Sequence, residues 1–204
     1  MTALCFVSCS KEDSGITPVT QPEPTPKVKP VDAPEQNDTL ALTWGEDGWP
    51  CIPEGDMHLT EEEFKAIFVG HSISETDAYA LDEDCKAALN DKFWNHWVSD
   101  SSPVTYTFHN DSIIVLENYV IAPGMPYDGL NTHFLTYRYS PSENIIYIDG
   151  KKAIKILDVE KDPNTGTTTA KAILDVYYTY HPDGFYIMCY FVSEIKPTIT
   201  GSSN

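Results

Sequence analysis

The chain has 204 residues, 41% apolar and 12% aromatic, with 31 acidic against 13 basic side chains and a formal charge of −18. That length bounds it to one core, or one core with a tail, and the aromatic content argues for a packed fold rather than a disordered chain. The negative field excludes nucleic acid as a partner, since there is no basic surface to release counterions from phosphates. No apolar run of about 18 residues is present to cross a bilayer as a helix.

Residues 1–8 read as the end of a truncated signal peptide, a short apolar stretch closing on small Ser8. Eight residues cannot hold both a basic start and an apolar run of about 7–15 residues, so the true start codon is expected upstream. Phe6-Val7-Ser8-Cys9 resembles a bacterial lipobox, with Phe6 standing where Leu is usual, and Ser10-Lys11-Glu12-Asp13 resembles the acidic signal that sends Bacteroidetes lipoproteins to the cell surface. The resemblance implies lipidation of Cys9, with the membrane as a partner through that anchor and a surface-exposed place on the outer membrane. Each methylene of an acyl chain buried in lipid adds about 0.8 kcal/mol. Residues 9–56 are then the lipidated N-terminus and a stalk, for six prolines between Ile16 and Glu35 favour an extended spacer of roughly 3 Å per residue.

The domain is expected over residues 57–196, with 197–204 a disordered tail. Leu59-Thr60-Glu61-Glu62-Glu63-Phe64 carries a capping box and a hydrophobic staple, predicting a helix of about two turns that ends by Gly70. His71 to Leu81 follows as a first strand. Cys85 to Val98 places Phe93, Trp94, Trp97 and Val98 at helical spacing, which predicts an inserted helix or ordered loop. Strands then recur at short intervals over 104–108, 112–121, 132–139, 145–148, 153–159, 168–180 and 185–195, with Asp149-Gly150 the strongest hairpin signal among their turns. Eight sequential antiparallel strands remove both edges by closing on themselves, so an eight-stranded barrel is preferred to a sandwich, which needs longer crossovers. Phe185, Ile187, Cys189 and Phe191 fill one face of the last strand while Tyr186, Met188, Tyr190 and Val192 fill the other, so both faces require cover.

On these features residues 57–195 resemble the lipocalin-like lipoproteins of Bacteroidetes: a helix, a strand entered from Gly70, a meander, and hairpins such as Tyr137 to Asn144 and Asp183-Gly184-Phe185-Tyr186. Gly70-His71-Ser72 stands where lipocalins carry Gly-x-Trp. The resemblance implies a mainly β fold, a lipocalin-like barrel, and a small apolar or amphipathic ligand.

Candidate chemistry is sparse. The six histidines share no metal-ligand spacing, and neither Asp82-Glu83-Asp84 nor Asp158-x-Glu160-x-Asp162 has the pattern of a calcium loop, so no metal and no cofactor is expected. No nucleophile elbow, phosphate loop or Cys–His signature appears, and the domain is read as non-catalytic. Cys189 reads as a core residue, while Cys51 and Cys85 could pair in an oxidising envelope. Aromatic side chains are the remaining signal. Trp94, Trp97, Tyr127, Tyr137 and Tyr139 are the candidate ligand-binding residues, the two tryptophans either lining the barrel mouth or plugging it. The alternative is a glycan- or protein-binding surface module that uses exposed aromatics and holds no ligand in the barrel.

Overall fold

Thr60 starts the single described helix, α1 (Glu61–Phe68). Its hydroxyl accepts from the Glu63 N–H at 3.2 Å while the Glu63 carboxylate accepts from the Thr60 N–H at 2.8 Å, so two backbone donors at the helix start are each taken up by the other residue's side chain. The chain leaves the helix through Gly70, whose φ of +77° is open to glycine at little cost. This computed structural model describes residues 39–93, 103–120, 129–175 and 188–198. The chain divides into Met1–Gln36 and Asn37–Asn204, and every described element belongs to the second unit.

The other elements are strands. Before the helix come β1 (Thr39–Ala41), β2 (Thr43–Trp44) and β3 (Pro50–Cys51). After it come β4 (His71–Ser74), β5 (Asp77–Ala80), β6 (Lys86–Ala88), β7 (Thr105–Phe108), β8 (Ile113–Val120), β9 (Gly129–Ser140), β10 (Ile145–Ile148), β11 (Lys151–Lys161), β12 (Thr168–Asp175), β13 (Met188–Glu194) and β14 (Lys196–Pro197). The fold is mainly β, built on a large curled antiparallel sheet of order β14-β4-β7-β8-β9-β10-β11-β12-β13-β5. From β7 to β13 each strand pairs with the next in the chain. Asp149 and Gly150 both take positive φ, 46° and 78°, which gives the β10–β11 hairpin the turn that the sequence predicts.

The expected first strand, His71 to Leu81, divides at Glu75-Thr76. Its first half pairs with β7 through Ser72↔Thr107, and its second pairs with β13 through Cys189↔Ala80. Ile73 and Ala78 differ in alternation yet both sit in the same core at 1% exposure, and the break supplies the needed change of phase. Beyond β13, β14 returns to β4 through Lys196↔Ser72.

Two further expectations are corrected. Lys86–Ala88, expected within an inserted helix or loop, is a strand paired with β1, because the pairing buries Ala87 against the outer wall; residues 94–98 lie outside the described set. The stalk, expected to run to residue 56, gives way to strands from Thr39, since Leu42 and Trp49 are both buried at 4% exposure. These segments cover the outer faces of β10 to β13, which explains why Ile145 and Tyr190, pointing away from the interior, are buried. The inner face holds the larger core, including Phe68, Tyr106, Phe108, Ile114, Ile154 and Phe191.

Helix α1 lies over one end of the sheet, where β7 and β9 finish: Phe64 stacks on Tyr139 at 4.2 Å and meets Phe108 edge-on at 5.8 Å.

Candidate functional site

At the break between β4 and β5 the sheet forks. Ser74↔Thr105 is the last β4–β7 pair, and Glu75 extends it by one bond, its N–H donating to the Val104 carbonyl at 3.0 Å. The chain then swings towards β13, and the Phe93 N–H donates to the Ala78 carbonyl at 2.7 Å. A Lys92–Asp77 ion pair fixes the same stretch.

Glu75 therefore sits in the crotch of the fork, 2% exposed. The Tyr106 hydroxyl donates to its Oε1, and the Val104 N–H points at Oε2 from 3.4 Å. Burial pushes the Glu75 carboxyl up to about 7, against the smaller opposing pull of the Tyr106 and Val104 hydrogen bonds. Ala78, Phe93, Val104 and Cys189 belong to the same apolar core. Burial, and secondarily the Glu75 charge, push the Cys189 thiol far up, so it is an inert neighbour rather than a nucleophile. The arrangement offers a carboxyl that can donate or accept a hydrogen bond near neutral pH, set in apolar surroundings. A buried polar group that titrates abnormally marks a candidate functional position.

Of the residues expected to bind a ligand, Tyr137 and Tyr139 lie together at the helix end, on β9, two strands from β7 of the fork. Tyr137 donates to the Asn110 carbonyl at 2.7 Å, and the Tyr139 hydroxyl stands 2.6 Å from Asn144 Oδ1 and 3.1 Å from the Leu59 carbonyl. Burial raises the Tyr137 hydroxyl to about 12. Both rings pack against Phe64. Trp94, Trp97, Tyr127 and the lipidation candidate Cys9 lie outside the described residues. Cys51 and Cys85 are free thiols, although each lies beside the Leu42–Thr43 stretch: Cys51 Sγ is 3.3 Å from Thr43 Oγ1, and the Cys85 carbonyl accepts from the Leu42 N–H at 3.0 Å.

Glu75 is the residue that the sequence reading missed. Its one signal is alternation: His71, Ile73 and Glu75 share a face, so a strand that buries Ile73 must turn Glu75 inwards as well. Among the described residues no cluster of three or more His, Cys, Asp or Glu side chains could hold a metal ion. A groove of about 370 Å³ follows the β4–β13 seam, past Ser74, Thr105 and Ser193, and another of about 390 Å³ runs between α1 and the ends of β11 and β12. Comparison with known proteins gives no match: no family model, curated protein or solved structure matches the chain.

Proposed function

We propose that this is a cell-surface lipoprotein, held at the outer membrane through Cys9, whose β domain is a non-catalytic lipocalin-like barrel that receives a small amphipathic ligand beside Glu75. Two pairings support closure: β5 with β13 and β14 with β4 lay the last stretch of the chain along the first. Taking β4 with β5 as one bent strand, and β13 with β14 as another, the meander has the eight strands of a small barrel. The lipobox-like run ending at Cys9 supports the anchor.

The observation that carries the ligand reading is the buried Glu75–Tyr106 pair inside an apolar core. A carboxyl that titrates near 7 satisfies a hydroxyl or ammonium head, while Ala78, Phe93 and Val104 contact an apolar body. Large side chains fill the half below α1, so the ligand lies at the fork end rather than deep in the barrel. Trp94 and Trp97, following Phe93 in the chain, and Tyr127 are its proposed further contacts. With a formal charge of −18 the chain favours a neutral or cationic head over an anionic one.

The test is a titration of the full chain with decanol, decyltrimethylammonium and decanoate, each below its aggregation limit, followed by tryptophan fluorescence. The first two are expected to give saturable changes, decanoate a weaker one, and Glu75→Gln is expected to weaken the cationic probe about tenfold, the worth of one charge-assisted hydrogen bond. Absence of a saturable change with all three overturns the reading. The second reading, a surface module that binds glycan or protein, rests on Phe134 and Trp44, which are 71% and 53% exposed.

A further inference from the structure

β9 is paired along two-thirds of its length on one side and along a third on the other. β8 covers Gly129 to Thr136, whereas β10 pairs only with Tyr137 to Ser140. At Thr136 the bonding on the second side ends: the Asp149 N–H donates to the Thr136 carbonyl at 2.9 Å, and Asp149 Oδ1 accepts from the Thr136 N–H at 3.0 Å. The Thr136 backbone thus faces away from β8. By the two-residue period of a strand, the N–H and C=O groups of Phe134, Thr132 and Leu130 face the same way. Among the described residues no strand pairs with that edge. Residues 130 to 134 are exposed on both faces, with Leu130 at 63% and Phe134 at 71%.

Exposed edges are normally guarded by charge, proline or a bulge. Leu130-Asn131-Thr132-His133-Phe134 has no acidic, Lys, Arg or Pro residue, in a chain with 31 acidic positions. It is also self-complementary. In an antiparallel pairing of two copies about a two-fold axis at Thr132, Thr132 meets Thr132, Leu130 meets Phe134 and Asn131 meets His133. The two meetings of apolar residues extend existing rows, because Leu130 already lies beside Tyr119 and Phe134 beside Val115. The rows then read Tyr119, Leu130, Phe134, Val115 across both copies, with Glu117 and Thr132 between them. All edge groups of Leu130, Thr132 and Phe134 are satisfied, since each facing pair exchanges two hydrogen bonds. The free stretch ends where Asp149 takes over, so its length suits a five-residue partner strand.

We propose that the chain dimerises edge to edge through β9, the partner being a second copy of itself centred on Thr132. The two Glu117 side chains are then three strand spacings apart, about 14 Å, beyond a Debye length at physiological salt. The repulsion that remains comes from the net charge of each copy, so salt favours the dimer.

Sedimentation velocity tests this on the 204-residue chain, produced in the cytosol so that Cys9 stays unmodified. The expected result is a monomer–dimer equilibrium that shifts towards dimer with concentration and with added sodium chloride, and that Thr132→Glu, which sets two further carboxylates between the two Glu117 side chains, abolishes at physiological salt. A wild type that stays monomeric up to about 1 mM overturns the proposal, as does a dimer that survives Thr132→Glu at that salt. The register has its own readout. Under oxidation by air and copper, Thr132→Cys is expected to form a disulfide between copies, located by peptide mapping at position 132 in both, because facing Cα atoms lie about 5.5 Å apart. His133→Cys, which faces Asn131, is expected not to link to itself. Equal cross-linking of the two variants contradicts the register and the proposal with it.

Discussion

Glu75→Gln removes a buried ionisable group while keeping its shape, and the consequence depends on pH in a way that can be worked through. The folded carboxyl titrates near 7 and the unfolded one near 4.5. Between those values the native state holds a proton that the unfolded chain has released, so stability falls as pH rises. The fall is fully expressed above 7 and amounts to about 3 kcal/mol, at 1.36 kcal/mol per unit. Glutamine has no such slope. It still accepts from the Tyr106 hydroxyl but presents an N–H to Val104 in place of Oε2, which costs about 1 kcal/mol. Glu75→Gln is therefore expected to be about 1 kcal/mol less stable than wild type at pH 4.5 and about 2 kcal/mol more stable at pH 8. Urea unfolding at half-unit intervals measures the difference, with other titrating groups cancelling between the two proteins. A difference that stays constant from pH 4.5 to 8 would refute the buried-carboxyl reasoning.

Three other perturbations test the packing and the anchor. Phe64→Ala removes the ring stacked between Tyr139 and Phe68 and is expected to lower stability by about 3–5 kcal/mol in denaturant titrations, the loss typical of emptying a buried aromatic site. Lys155→Ala strands Asp56, whose carboxylate is 7% exposed and 3.1 Å from the Lys155 ammonium, with Asp47 at 3.3 Å. The expected loss is about 3–5 kcal/mol, with faster amide exchange in residues 39–56, which this cluster ties to β11. Cys9→Ser is expected to abolish incorporation of radiolabelled palmitate in the native host and to move the protein into the aqueous phase on detergent partitioning.

Local chemistry was the legible part of the sequence. The Thr60–Glu63 box and the Asp149-Gly150 turn act within a few residues, and both form as their residue types require. Turn residues at short, regular intervals located the strands from β7 to β12, since a hairpin turn is specified by the few residues that form it. The two-sided apolar pattern of the last strand required cover on both faces, and Met188 to Phe191 are buried throughout. Long-range decisions were not legible. Nothing near Leu42 or Trp49 states that the outer faces of β10 to β13 need a cover, so residues 39–56 read as stalk. Tyr137 and Tyr139 look like any strand tyrosines, and only the placing of α1 commits their rings to the helix end. Glu75 hides in a polar stretch, Ser72 to Asp77, where a shift of phase within one strand decides what faces inwards.

Native mass spectrometry of the protein taken from its own host membrane tests the central claim most directly. The account predicts wild-type protein carrying acyl chains on Cys9 together with one non-covalent small molecule, neutral or cationic, which is depleted in Tyr106→Phe and Glu75→Gln. A protein that carries no small molecule, or one retained equally by both variants, would contradict a ligand site at the fork beside Glu75.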